Sequence, residues 1–312
     1  MPMTMPMTAR DSLTVFGSIN LDIAVRVARL PGAGETQLGG DARMSPGGKG
    51  ANQAHAAQRF GVPVQLIGAV GDDAFAQPAL AGLRASGVDV SGVRTLANVA
   101  GMTTGLACIA VTPEGENSIV VAPGANAGVL ASFVTDAQLG GTRLLLLQME
   151  VPFPQSLALA ARARALGCTV MLNAAPMVDA QIPPHSVDWL VLNRVELDQL
   201  CAAHLLNGAA PAERALQLAA LLGADVALTL GSQGALIAGR DGRCLASPAL
   251  AVEVVDTTGA GDTFAGVFGA ALLAGLAEPA ALRAAVVAAS LACRHAGAQA
   301  AQPSRQDIDA AL

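Results

Sequence analysis

The chain lacks most of the signatures that assign a protein quickly. The uncharged run Thr263 to Ala277 is 15 residues of mostly Gly and Ala; a bilayer crossing needs about 20, so it reads as a buried helix and no membrane partner is expected. Positive charge is in deficit, with 18 Lys and Arg against 24 Asp and Glu and a net charge of -6. No basic excess is left to hold nucleic acid or an anionic membrane. The five cysteines (Cys108, Cys168, Cys201, Cys244, Cys293) include no C-x-x-C pair and are odd in number. They are expected to be reduced, mostly buried thiols of a cytoplasmic protein. The four histidines (His55, His185, His204, His295) show no H-E-x-x-H spacing, which leaves a zinc site or a His-centred hydrolase without support. "GSQG" at Gly231 to Gly234 is not G-x-S-x-G.

The two common nucleotide motifs are missing as well. A Walker A loop needs Ser or Thr after its lysine, and Gly47-Gly48-Lys49 is followed by Gly50. A dinucleotide fingerprint starting at Gly259 needs glycine at 264, which is Phe264.

What is present is apolar material in quantity. Of 312 residues 53% are hydrophobic and 13% charged, enough to bury a large core in one α/β domain or two smaller ones. The first residues, "MPMTMPMTAR", repeat MPMT without the apolar core of a signal peptide, so residues 1–11 are expected to be a disordered tail and 12–312 the folded domain.

The most informative stretch is "EVVDTTGAGDTFAGVFGAALLAG", Glu253 to Gly275, which reads as strand, tight turn, helix. Glycines at the turn let a ligand approach the backbone, and a helix start offers unpaired N–H groups with partial positive charge. That is a place for a phosphate. Asp262 puts a carboxylate there. Either it is a plain N-cap, or it takes the proton of a hydroxyl while the neighbouring amides hold the phosphoryl group under attack.

Elsewhere "LTVFGS" is a buried strand whose end leads to Asn20 and Asp22, two polar side chains on one face of an extended segment. They are either ligand contacts at a strand's C-terminal end or an Asx turn. "SPGGKGANQAHAAQRFG" opens a helix through Gly47, Gly48 and Gly50, with Lys49 and Asn52 in reach of a polar ligand if the glycines are there for more than loop geometry. In "VQLIGAVGDDAF" Asp72 and Asp73 are expected caps of the next helix. Two β-rich excursions, about 21–46 and 93–122, are expected to pair as a small lid over the sheet edge. From "RLLLLQME", ending at Glu150, strands and helices alternate, which predicts a doubly wound, mainly parallel sheet with helices on both faces. Asn193 and Glu196 form N-x-x-E at a strand-to-helix turn, a carboxylate placed either to order magnesium-bound water or to meet the helix dipole. Thr229, Gly231 and Ser232 follow another strand end, where they could line a nucleotide pocket.

Taken together, "GSINLDI" at Gly17, "GGKGANQA" at Gly47, "GDD" at Gly71, "GEN" at Gly115, "LLQME" at Leu146, N-x-x-E at Asn193, "TLGSQGA" at Thr229, "DTTGAGDTF" at Asp256 and "GAQ" at Gly297 resemble the ribokinase-like (PfkB) carbohydrate kinases. The resemblance covers nearly the whole chain after the first dozen residues. It implies an α/β ribokinase-like fold and transfer of the γ-phosphoryl group of ATP to the 5-hydroxyl of D-ribose. Related substrates would be deoxyribose, 2-keto-3-deoxygluconate or a nucleoside, and a non-catalytic sugar or nucleotide sensor is the alternative of another class. Under the resemblance Asp262 is the base, and the amides of Gly259, Ala260 and Gly261 are the anion hole. Asn20, Asp22, Gly48, Lys49, Asn52 and Glu150 hold sugar hydroxyls. Asn193, Glu196, Thr229, Gly231, Ser232, Gly234 and Gly261 serve ATP, and Glu196 serves Mg2+ through water. It further implies a monovalent cation, usually K+, at Asp256 and the carbonyls of Thr258, Ala292, His295 and Gly297, and a homodimer through the β lid. Where the family has Pro-Ser after "GAQ" this chain has Ala300-Ala301, so a hydroxyl ligand is missing unless Ser304 or water replaces it.

Overall fold

The computed structural model describes residues 12–97, 102–113, 116–177 and 181–312. The tail 1–11 lies outside the described residues. Along the chain the elements are β1 Ser12–Phe16, β2 Asn20–Arg26, β3 Ala42–Gly47, α1 Lys49–Phe60, β4 Val64–Val70, α2 Ala76–Ser86 and β5 Asp89–Thr95. The next are β6 Gly105–Val111, β7 Asn117–Ala122, α3 Asp136–Gly141, β8 Thr142–Leu147, α4 Phe153–Ala165, β9 Thr169–Asn173 and β10 Trp189–Leu192. The remainder is α5 Arg194–Ala203, α6 Pro211–Leu222, β11 Asp225–Thr229, β12 Ala235–Ala238, β13 Cys244–Ser247, α7 Ala260–Leu273, α8 Glu278–Ala292 and α9 Arg305–Ala311.

Nine strands form one sheet in the order β13-β12-β11-β10-β9-β8-β1-β4-β5. From β5 to β11 neighbours are parallel, and the hairpin of β12 and β13 closes one edge antiparallel. The central strands are near-continuous apolar runs because both faces are covered. Val15, Leu146, Met171 and Val191 pack towards α1, α7 and α8. Their neighbours Phe16, Leu147, Leu172 and Leu190 point the other way, towards α4, α5 and α6. That period of two sorts the core into two layers.

The chain leaves β1 in one direction through β4 and β5, and fills the other side from β8 onwards. Strand order therefore reverses between β1 and β8, and the crevice beyond their C-terminal ends is where such a sheet receives ligands. Gly17, Ser18, Gln148 and Glu150 follow those two ends.

A second sheet has the order β3-β2-β6-β7. Its outer pairs are antiparallel, but β2 and β6 run parallel, so it is mixed. Val93 to Thr95, expected at the start of the second excursion, belong to β5 of the large sheet and pair with β4. On the small sheet Val120 is 68% and Met44 65% exposed, which leaves an apolar outer surface.

Two other expectations need correction. The cysteines are all free thiols, but only Cys168 and Cys201 are buried, while Cys108 on the small sheet and Cys244 on the edge strand β13 are exposed. Of the two aspartates ahead of α2, Asp73 accepts from the N–H groups of Phe75 and Ala76 and also from Thr104 N and Oγ1, tying this turn to the start of β6. Asp72 is exposed and takes no part in that turn.

Candidate active site

Helix α7 is preceded by its N-cap Gly259, whose φ of +74° is strained for any residue with a Cβ. Because Gly259 occupies the cap position, Asp262 falls at the third helical residue and is not the N-cap. Its carboxylate turns away from its own helix. Oδ2 accepts from Asn52 Nδ2 at 3.0 Å and Oδ1 from Gln53 Nε2 at 2.9 Å. Asp262 is buried, and each charge-assisted bond of this kind contributes on the order of 2 kcal/mol.

Both donors come from α1, which packs directly on α7. The approach is close because Gly266 has no side chain: a Cβ there would sit 2.4 Å from the carbonyl oxygen of Gln53. Adjacent residues of one helix thereby reach the two oxygens of one carboxylate on another.

Among the described residues no backbone acceptor takes the N–H groups of Gly259 and Gly261. Ala260, expected to join them in an anion hole, donates to Thr257 O at 3.2 Å and is occupied by the turn. Both glycines, with Asp262, line a cleft of about 220 Å³. Its other walls include Lys49, Asn173, Asn193, Glu196 and Thr229.

Lys49 stands among negative charges. Asp262, more than the opposing loss of water, pushes its ammonium above the usual lysine range, and Glu150 and Glu196 add to this. The lysine stays cationic. Glu196 is pushed up by burial, against the pull of the Asn193 N–H and Lys49. Asn193 and Glu196 form a capping box at the start of α5: Glu196 Oε2 accepts from Asn193 N at 2.7 Å, and Asn193 Oδ1 accepts from Glu196 N at 2.9 Å. The cap fixes the carboxylate at the cleft wall.

The expected sugar-side residues collect at the junction of the two sheets. Glu150 Oε2 accepts from Ser18 Oγ at 2.6 Å and from Lys49 N at 3.0 Å. Asn20 is buried on β2 with its Oδ1 held by Asn126 Nδ2 at 2.7 Å. Asp22, two residues on, packs against Gly47 of β3, where a Cβ would lie 2.3 Å from its carboxylate. Burial first, then Glu150 and Asp262, push the Asp22 carboxyl up to about 6. Gly48 is the N-cap of α1.

On the opposite side Thr229 lines the cleft, but Gly231, Ser232 and Gly234 do not. They form the turn from β11 to β12, in which Gly234 N donates to Gly231 O and Leu230 N to Gly234 O. Ser232 is exposed and Gly234 is buried in the hairpin.

The proposed cation ligands come from two segments drawn together by Asp256. Its Oδ1 accepts from Thr258 N and Oγ1, its Oδ2 from Gly297 N at 2.9 Å, and Cys293 O accepts from Val255 N and Asp256 N. Burial pushes the Asp256 carboxyl up, but the hydrogen bonds from Gly297 and Thr258 together outweigh it and hold the group below its usual range. The Ser304 hydroxyl is engaged at the start of α9. Its Oγ donates to Asp307 Oδ2 and accepts from Asp307 N, capping α9. Ala292 and His295 stay near each other, with His295 N donating to Ala292 O at 3.3 Å. Among the described residues no three His, Cys, Asp or Glu side chains are placed to hold a metal ion together, and no described helix is long and apolar enough to cross a membrane.

Gln53, Asn126, Gln148 and Asn173 were not singled out by the sequence reading. Gln53 carries a signal, since it follows Asn52 directly.

Known proteins resemble this chain in sequence and in fold. Residues 10–305 match the pfkB family carbohydrate kinases. A ribokinase of Lactococcus lactis is 36% identical over 96% of this chain and 96% of its own length. The crystal structure of a Thermotoga maritima ribokinase superposes with a TM-score of 0.87 at 29% identity, covering 96% of this chain and 98% of the other. An Arabidopsis thaliana ribokinase solved with ribose and ATP gives 0.85 at 31% identity, over 96% and 97%. A match of that length, on a chain whose glycine-led helix start, buried aspartate and mixed small sheet stand as described, has one meaning: this chain belongs to the pfkB family of carbohydrate kinases.

Proposed function

We infer that the chain is an ATP-dependent kinase that transfers the γ-phosphoryl group to the 5-hydroxyl of D-ribose, giving ribose 5-phosphate and ADP. The observation that carries this reading is the buried Asp262 carboxylate, held in one orientation by Asn52 and Gln53 and set in the same cleft as the free amides of Gly259 and Gly261. A base and an anion-binding turn share one small space.

In the proposed reaction the sugar hydroxyl oxygen forms a bond to the γ-phosphorus as the bond to the β–γ bridging oxygen breaks, and ADP leaves. The hydroxyl proton passes to Asp262. Phosphoryl transfer needs alignment and charge neutralisation more than a strong base, which an ordinary carboxylate satisfies. The amides of Gly259 and Gly261 would meet the charge that develops on the transferred group, each preorganised donor being worth about 3 kcal/mol. Lys49 adds a fixed positive charge.

Asn20, Asp22, Gly48, Lys49, Asn52 and Glu150 would bind the sugar hydroxyls at the sheet junction. Asn193, Glu196 and Thr229 would face the nucleotide. Mg2+ would arrive with ATP and neutralise phosphate charge, with Glu196 ordering its water; an oxygen donor at the cleft wall suits an ion that keeps most of its hydration. Asp256 and the carbonyls of Thr258, Ala292, His295 and Gly297 offer hard oxygen donors on two adjoining segments, a set that suits K+.

The small sheet joins the large one through the Asn20 and Asp22 strand itself, so its movement would cover a bound sugar and exclude water. Its exposed apolar face favours pairing with a second copy. Free thiols suit a reducing, cytoplasmic setting.

Initial rates of ADP release with D-ribose, fructose, 2-deoxyribose, 2-keto-3-deoxygluconate and nucleosides test the reading. The highest kcat/KM is expected with ribose. Preference for another acceptor would keep the kinase and replace its substrate, because a site built for one set of hydroxyls rejects an analogue lacking one by about 10⁴-fold.

A further inference from the structure

Asp262 is held by more than its own helix, and one of its partners has no part in the chemistry described so far. Gln53 is fully buried at the contact of α1 with α7. Its Nε2 carries two hydrogens and meets two acceptors, Asp262 Oδ1 at 2.9 Å and Asn173 Oδ1 at 2.9 Å. Its Oε1 accepts from Gln148 Nε2 at 2.7 Å. Asn173 is itself oriented, donating through Nδ2 to Val191 O at 3.1 Å.

These bonds leave the amide one orientation. Reversed, the Gln53 oxygen would face two oxygens, Asp262 Oδ1 and Asn173 Oδ1, and its NH₂ would face the NH₂ of Gln148. Every hydrogen would lose its acceptor in a dry interior, where each unmet polar group costs about 1–3 kcal/mol. Gln148 has its own Oε1 buried without a partner, and there is little room to turn, since a Cβ on Gly17 would fall 1.9 Å from that oxygen. The ends of β8 and β9 thus fix an amide on α1, which fixes a carboxylate on α7.

We propose that Gln53 is the positioning residue for Asp262, with Gln148 and Asn173 locking its amide so that the carboxylate is presented to the acceptor hydroxyl in a single orientation. This rests on the kinase reading of the site. Gln53 is fully buried and does not line the cleft, so its loss should act on the chemical step and not on binding. A carboxylate free to rotate by about 1 Å from the attacking line costs up to about 10²-fold in rate.

The test is a cycle of Gln53→Met, Gln148→Met and the double variant, each close to glutamine in volume, measured for kcat and both KM values alongside the parent protein. Expected for Q53M is a fall in kcat of about tenfold or more, with KM for sugar and ATP within about threefold. Q148M should give a smaller fall of the same kind, and the double variant should be no slower than Q53M, because both changes release one amide. A kcat within twofold of the parent in folded Q53M overturns the proposal, as do losses that multiply in the double variant. Should Q53M not fold, Q148M alone decides: a kcat fall at constant KM supports the positioning role, and an unchanged kcat overturns it. A parent protein that phosphorylates no sugar overturns the functional reading and this inference together; a working parent with a normal Q53M overturns only the inference.

Discussion

Asn52 Nδ2 and Asp262 Oδ2, 210 residues apart in sequence, lie 3.0 Å apart across the contact of α1 with α7. The glycine-rich entry to α1 and the glycine-led start of α7 are therefore two halves of one site. Neither half closes without the other.

Asp262→Asn keeps the size of the side chain and removes the proton acceptor. Turnover should fall by at least about 10²-fold while sugar binding, read by calorimetry, stays within a few-fold. Near-normal turnover would remove Asp262 from the role of base.

Asp22 gives a pH dependence with a definite sign. Its carboxyl is pushed up to about 6 by burial and by Glu150 and Asp262. It is ionised, and able to accept sugar hydroxyls, above that value. KM for the sugar should rise as pH falls through about 6, and Asp22→Asn should flatten the profile. The effect on folding runs the same chemistry in reverse: the folded state binds the proton more tightly than the unfolded chain, so this group's contribution to stability declines as pH rises from about 4 to 6. A sugar KM that stays level from pH 7 to 5 would contradict the assignment.

Gly266→Ala tests the helix contact. The added methyl would press on the Gln53 carbonyl, and overpacking of this kind costs about 1–3 kcal/mol. Thermal unfolding should shift down and kcat should fall, since α1 carries both donors to Asp262. An unchanged Tm and an unchanged kcat would mean that the helices give way without disturbing the carboxylate.

The proposed cation site and the α9 cap can be tested separately. Potassium should raise the rate over sodium alone in the parent protein. Ser304→Ala should leave that response intact and cost about 1 kcal/mol of stability through the lost cap. Equal rates in the two salts would count against the site, and loss of the response in S304A would make Ser304 a ligand after all.

Much of this was legible in the sequence where chemistry and geometry are local. "DTTGAGD" places a turn, a helix start and a carboxylate within seven residues, and strands such as "RLLLL" and "WLVL" announce burial on both faces. Distant geometry was not legible. Nothing in the letters brings Gln148, Gln53 and Asn173 together, because each sits in a different strand or helix and meets the others only through the sheet order. Val93 to Thr95 carry a β pattern that suits either sheet, and pairing with β4 decided for the large one. Gly231 and Ser232 read as part of a nucleotide pocket past a strand end, and their place in the turn from β11 to β12 appears only in the hydrogen bonds of the folded chain. Read alone, Asp262 suits a cap or a base equally; the family resemblance favours the base, and Gly259 holds the cap position.

The most direct measurement is a crystal structure with D-ribose and a non-hydrolysable ATP analogue bound together. The account predicts the ribose 5-hydroxyl within about 3 Å of an Asp262 oxygen and the terminal phosphate against the amides of Gly259 and Gly261, in line with that hydroxyl. A different hydroxyl facing Asp262, or a terminal phosphate bound away from the start of α7, would contradict it.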